Sequence, residues 1–247
     1  MKTLAIYHLK GGVGKTATAV NLAYLSAAQG YKTLLWDLDA QNASGFYYGI
    51  HANQKNTTRK ILAGEISLAS AIQPTQFPLL DVVPADLSAR LADISLNEAK
   101  HRKKQLLHIV NSIYNQYDII MLDCPPGISL LHDNIFAAAH FLIMPTIPTT
   151  LSVGCLETVI AYFEKQEWDV NKIKCFFNLV DHRKKLHHDI LQQLYTKTYF
   201  LKNYIPNLSE IEKMGINQLP LPVYAPKSFG TQCYTAIWEN MLEFLTD

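Results

Sequence analysis

The stretch "YHLKGGVGKTATAV", residues 7–20, decides how the rest of the chain is read. Its Gly14-Lys15-Thr16 closes a phosphate-binding loop of the form G-x-x-x-x-G-K-[ST], yet counting back from Gly14 to the place of the first glycine reaches Leu9. A lysine, Lys10, stands before the paired glycines instead. The loop follows the apolar run "TLAIYHL" (3–9) and leads into "KTATAVNLAYLSAAQG" (15–30), whose spacing predicts a helix stopped by Gly30. Strand, glycine-rich turn and helix form the setting such a loop needs. Backbone N–H groups of Gly11 to Thr16 can curl around a phosphate at the helix N-terminus, where unpaired donors and the helix dipole favour an anion. In that arrangement Lys15 bridges the β and γ phosphates, and the Thr16 hydroxyl ligates Mg²⁺.

Outward from the loop, two kinds of segment alternate. "KTLLWDLD" (32–39), "LLDVVPA" (79–85), "YDIIMLD" (117–123), "HFLIMPT" (140–146) and "IKCFFNLV" (173–180) are short, dense apolar runs that read as buried strands. Helical spacing marks 97–116, 151–166, 183–197 and 228–245. The alternation predicts an α/β fold: a mainly parallel sheet with helices on both faces. With 247 residues, 49% apolar and 17% charged, and no internal repeat or long linker, the chain is expected to form one domain over 1–247. The formal charge of +1 means that any grip on nucleic acid must come from local clusters of Lys and Arg. Cys124, Cys155, Cys175 and Cys233 form no C-x-x-C pair, which argues against a zinc site or disulfide framework and fits a reducing cytoplasm. The apolar run before Lys10 is too short for a signal peptide, and no stretch approaches a membrane span.

Acidic strand ends support the phosphate-loop reading. "YDIIMLDCPPG" delivers Asp123 to the C-terminal edge of the sheet, where a carboxylate serving Mg²⁺ belongs. "LLWDLDAQNASG" ends in Asp37 and Asp39, which the two-residue strand period places on one side. One could be a structural or metal-shell carboxylate and the other could orient an attacking water; an ordinary acidic strand end is the plainer alternative.

"KGGVGKT", "DLDAQNAS", "DCPPG", "NLVDHRKKLH" and "YIPNLSE" occur in the order and rough spacing of the ParA/Soj partition ATPases, a branch of the deviant-Walker-A P-loop NTPases that includes MinD. The chain resembles that family over nearly its whole length. The resemblance implies ATP and Mg²⁺ as cofactors, with Lys10, Gly11, Gly12, Val13, Gly14, Lys15, Thr16 and Ala17 as the nucleotide loop. It implies that Lys10 reaches across an ATP-sandwich homodimer to the phosphates held by the other subunit. A second cation beside Lys15 is repelled in an empty loop and stabilised by the triphosphate, so dimer affinity would depend on ATP. By the same resemblance Lys10, Lys15 and Asp39 are catalytic, Asp39 as the aspartate of the first switch. Thr16, Asp37 and Asp123 serve the metal, and Asn178 and Pro206 lie where the family contacts adenine.

The sequence departs from the family in places. Asp39 is followed by "AQNAS", lacking the proline and one glycine of D-x-D-P-Q-G-N-A, and Asn207 stands where relatives carry an arginine. The first strand begins at once, so neither a helix-turn-helix extension nor operator binding is expected. The family's nonspecific DNA contact falls at "DHRKKLHH", which offers Arg183, Lys184 and Lys185, with Lys197 and Lys202 able to extend the patch. "HRKK" (101–104) is a second cluster on an expected surface helix, and a solvated charged face is the plainer reading of either run. The acidic ending "WENMLEFLTD" disfavours MinD-like binding to anionic lipid. The cysteines do not resemble the cluster motif of nitrogenase-iron-protein-like carriers. The expectation is a cytoplasmic ATPase that associates with the nucleoid when ATP-bound, with a small ParB-like activating partner and no membrane. A nucleotide-dependent interaction protein with little turnover, or a MinD-like positioning ATPase, is the alternative.

Overall fold

The apolar runs pair into one seven-stranded sheet. Its strands are β1 (Lys2–Ile6), β2 (Thr33–Asp37), β3 (Gln73–Pro74), β4 (Leu80–Val83), β5 (Ile119–Asp123), β6 (Phe141–Thr146) and β7 (Ile173–Phe177), in the order β3-β4-β2-β5-β1-β6-β7. All six expected strands are present, each shorter than expected, and every pairing is parallel except β3 with β4. The structure, a computed structural model, describes residues 1–52 and 57–245. β2 and β5 are buried at every position, because helices cover both faces of a parallel sheet.

Around the sheet lie α1 (Lys15–Ala28), α2 (Ala43–Tyr48), α3 (Thr58–Ala63), α4 (Ala92–Glu98), α5 (Gln105–Asn111) and α6 (Leu130–Ala138). They are followed by α7 (Thr150–Lys165), α8 (Lys185–Leu194), α9 (Ser209–Glu212), α10 (Met214–Asn217), α11 (Leu221–Tyr224) and α12 (Phe229–Leu245). Strand alternation divides the core. Ala5, Tyr7, Leu34 and Trp36 pack on the face covered by α3 to α7, whereas Leu4, Ile6 and Leu35 meet α1 and Trp238 of α12. Trp238 also ties its helix to α1, since its indole N–H donates to Gln29 Oε1 at 2.9 Å.

The helix expected over 97–116 is instead two, α4 ending at Glu98 and α5 starting at Gln105. The exposed run His101 to Lys104 is a turn, so the 101–104 cluster is not on a helix. A distant residue fixes the break: Asn134 of α6 accepts the Leu106 N–H at 3.2 Å and donates to Arg102 O at 2.8 Å. The helix expected over 183–197 begins only at Lys185, because Asp181 N–H donates to His187 Nδ1 and holds the preceding residues in a turn. Beyond β7 the chain returns alongside it: Leu201 N–H donates to Cys175 O at 2.7 Å, and Ile205 N–H to Phe177 O at 2.9 Å.

β1, β2 and β5 end together, with Ile6 opposite Asp123 and Asp37 opposite Asp123. The chain moves from β1 to β2 on one side, while β6 lies on the other side of β1. That reversal of strand order opens a crevice at the carboxyl ends of the strands, where open α/β sheets place ligands.

Candidate functional site

The loop between β1 and α1 occupies that crevice. Gly14, the residue before α1, is left-handed at φ 87°. A Cβ there would lie 2.3 Å from Asn178 Nδ2, so backbone shape and space both require glycine. Gly12, at φ 72°, needs its freedom for the backbone alone, since nothing stands within 4 Å of an added Cβ. No side chain caps α1, and no acidic residue stands in its first turn. The first amides of a 14-residue helix are thereby left for an anion.

Lys15 is buried at the start of this helix. Burial pushes its ammonium pKa down, and the nearby charges of Asp123, Cys124 and Asp39 pull it back. Beside it the carboxylates of Asp37 and Asp123 are almost wholly buried at the ends of paired strands. Asp37 accepts from two amides, Asp39 N–H to Oδ1 and Ser44 N–H to Oδ2, each at 2.9 Å, which staples the turn into α2. Burial, and next the charge of Asp123, push its pKa well up. Asp123 Oδ2 accepts the Ser44 hydroxyl at 2.8 Å, whereas its buried Oδ1 has no partner. Burial raises the Asp123 pKa to about 6 against the opposing influence of the Ser44 and Thr16 hydroxyls and of Lys15.

An orphaned buried carboxylate oxygen, a second buried carboxylate and the Thr16 hydroxyl make a hard oxygen set that Lys15 alone offsets, and Mg²⁺ fits it. Among the described residues no group of three or more His, Cys, Asp or Glu side chains is gathered for a metal. That suits an ion that takes its remaining ligands from water and phosphate oxygens.

Asp39 is half-buried and accepts the Gln41 N–H at 3.0 Å. It borders a cavity of about 360 Å³ walled opposite by the loop after β5. That loop is pinned by residues the sequence reading passed over. The Tyr7 hydroxyl donates to Gly127 O at 2.7 Å, and Asp93 of α4 accepts Leu131 N–H at 2.8 Å and the Ser129 hydroxyl at 2.9 Å, capping α6 from another helix. A tyrosine just past a strand and a surface aspartate carry no sequence signal for such roles; Ser44, inside "DAQNAS", was within reach.

Asn178, expected near adenine, is buried with its amide donating to Val13 O at 2.7 Å, and its Oδ1 has no partner. Pro206 is buried in a bridge with Val180. The basic residues stand apart from these groups. Arg183 donates to Asp181 through Nε and Nη2, each at 2.9 Å, and Lys184 Nζ lies 3.9 Å from the same carboxylate. The Arg183 hydrogen bonds hold the Asp181 pKa well below the carboxylate range. Lys185 is exposed at the first position of α8. Three cations are thus gathered at a helix N-terminus, whose dipole disfavours positive charge. The loop, Asp37, Asp39, Asp123 and Asn178 converge; among the described residues no hydrogen bond or ion pair joins 183–185 to them.

Residues 1–174 match the family model described as an AAA domain. The chromosome-partitioning ATPase Soj of Treponema pallidum is 29% identical over 242 residues, covering 94% of each chain. A plasmid-partition-type protein of Borrelia burgdorferi B31, bound to AMPPNP, superposes with a TM-score of 0.86 at 23% identity over 98% of each chain. The septum site-determining protein MinD of Pyrococcus horikoshii, complexed with Mg-ADP, gives 0.78 at 23% identity over 100% of this chain and 98% of that one. The last two likenesses establish the fold of a P-loop ATPase.

Proposed function

The chain belongs to the AAA-domain family whose model its residues 1–174 match, and from that premise we propose that it is an ATP-dependent dimerisation switch that binds DNA nonspecifically to partition or position a cargo. It is a P-loop ATPase similar to the ParA/Soj and MinD proteins, and its cofactors are ATP and Mg²⁺. One observation carries the reading: the uncapped first turn of α1, which contains Thr16 and the buried Lys15, lies near Asp123, whose buried Oδ1 has no partner.

Amides of Gly11 to Thr16 hold the β phosphate, and Lys15 neutralises the β and γ oxygens. Thr16 and Asp123, with Asp37 behind them, would hold Mg²⁺, which would supply charge neutralisation; Asp37 also fixes the turn that positions Ser44 against Asp123. Asp39, beside the cavity, orients the attacking water. Lys10 serves the phosphates of a second copy, which makes the dimer depend on the triphosphate. Asn178 and Pro206 border the adenine side, and Asn178 also holds the loop through Val13. Arg183, Lys184 and Lys185 meet DNA phosphates. The whole chain, 1–247, acts as one ATPase domain in the cytoplasm, nucleoid-associated in its ATP state and reset by a small ParB-like partner. Among the described residues no helix is long and apolar enough to cross a membrane.

Phosphate release measured alone, with duplex DNA, and with DNA plus a candidate partner tests this. Release should be slow alone and rise with the partner. Persistent absence of turnover while ATP still drives dimerisation would replace the reading with a nucleotide-dependent interaction protein.

A further inference from the structure

The loop contains a residue that the phosphate chemistry leaves unused. His8 is fully buried, and each of its ring nitrogens is engaged. Lys10 N–H donates to Nδ1 at 3.0 Å, so Nδ1 carries no proton. The proton of the neutral ring is therefore on Nε2, which donates to Ser152 Oγ at 3.2 Å. The Ser152 oxygen, also fully buried, accepts the Ile147 N–H at 3.2 Å. The imidazole thus bridges the backbone at Lys10 to the turn between β6 and α7. Its Nδ1 plays the part of an Asx acceptor, closing a turn onto the amide two residues on, while the ring reaches farther than an aspartate or asparagine could.

We propose that His8 is a positioning residue for Lys10, fixing the direction in which that lysine leaves the loop and so the geometry of its reach toward a second subunit. This rests on the cross-subunit role given to Lys10 above. Among the described residues the Lys10 ammonium makes no ion pair, so the local backbone sets the point and direction from which its side chain starts. Lys15 is oriented differently, through its burial at the start of α1. Loss of the His8 bond should therefore affect the Lys10 function and spare the Lys15 function. Keeping the ring uncharged is part of the device, because a proton on Nδ1 would turn the acceptor into a second donor facing the Lys10 amide. Burial, followed by the charges of Lys15 and Lys10, keeps the pKa of His8 low, at about 4.

The test compares His8→Leu, which keeps bulk but has no acceptor, with His8→Asn, which restores an acceptor for the amide two residues on. Lys10→Ala is the reference, and each variant is melted to report folding. Affinity is read with a fluorescent ATP analogue and assembly by light scattering on a sizing column with ATP and Mg²⁺. His8→Leu should bind the analogue like the wild type but dimerise roughly fivefold to tenfold more weakly, the loss expected for one hydrogen bond. His8→Asn should recover most of the dimer. Wild-type dimerisation by His8→Leu, with Lys10→Ala impaired, overturns the proposal and leaves the cross-subunit reading standing. Undiminished dimerisation by Lys10→Ala sinks that reading itself. If His8→Leu melts too early to assay, His8→Asn decides: a folded His8→Asn that dimerises as poorly as Lys10→Ala overturns the positioning role.

Discussion

The phosphate loop and the basic segment at 181–185 are separated in sequence by six strands of the sheet, and they are built on opposite principles. At the loop Lys15, Asp37 and Asp123 are buried, Asp37 is held by two amides and Asp123 by Ser44 with one oxygen left unpartnered, and the loop backbone is held by Asn178 and His8. At the basic segment Arg183 and Lys184 are largely exposed and answer to one carboxylate, Asp181. Buried polar groups are costly unless satisfied, so the loop stores a strong demand for a specific ligand of opposite charge. Exposed cations store little and act through number and ionic strength. Such a division suits a switch in which one region reads a nucleotide sharply and the other grips a polyanion weakly, many contacts at a time.

If the contrast is sound, the largest single effect belongs to Gly14→Ala. The variant must place a Cβ within 2.3 Å of the Asn178 amide on a left-handed backbone, so ATP binding should be lost. Isothermal titration with ATP and Mg²⁺ checks this, and near-normal affinity would mean that the Val13 to Asn178 bond is dispensable.

A smaller, pH-dependent effect sharpens the loop side. The Asp123 pKa in the fold, about 6, lies above its ordinary value, so between about 4 and 6 the folded protein binds more protons than the unfolded chain. Without nucleotide, stability should fall as pH rises through this window, Asp37 adding to the trend because burial raises its pKa as well, and Asp123→Asn should make the fall shallower. Mg²⁺ with ATP should flatten it in the wild type as well. Melting curves from pH 4 to 7 decide; a stability that climbs across this range would place Asp123 in a different environment.

These two predictions also mark how far the sequence was legible. Dense apolar runs announced six strands, and "KGGVGKT" announced the loop, because buried parallel strands and phosphate cradles are local patterns. The break between α4 and α5 was hidden, since it depends on Asn134 reaching Arg102 and Leu106 across the fold. β3 is two residues with a proline at an edge, too short to carry a period. Asn178 was read for adenine, and its bond to Val13 joins positions 165 apart, beyond any spacing rule. Helical spacing carried the 183–197 segment too far forward, because Asp181 and His187 hold a turn that periodicity does not register.

On the other side of the comparison, replacing Arg183, Lys184 and Lys185 by Glu should abolish retention on any duplex while ATP-driven dimerisation persists. With roughly six cations acting in a dimer, the wild-type log-log salt slope should be near −5. Asp181→Asn is the smallest effect: freeing Arg183 and Lys184 from an exposed carboxylate should raise DNA affinity slightly, because such pairs are weak. A large rise would make Asp181 a guard of the patch, contrary to the contrast drawn above, and retention unchanged in the triple variant would return these residues to a solvated face.

The central claim is that two lysines in one loop do different work, Lys15 for the subunit's own phosphates and Lys10 for those of a second copy. The direct measurement is titration of Lys15→Ala and Lys10→Ala with a fluorescent ATP analogue, followed by light scattering of each with ATP and Mg²⁺. Lys15→Ala should lose nucleotide binding altogether, whereas Lys10→Ala should bind the analogue nearly as the wild type does and remain monomeric. Equal loss of nucleotide affinity in the two variants would contradict the account.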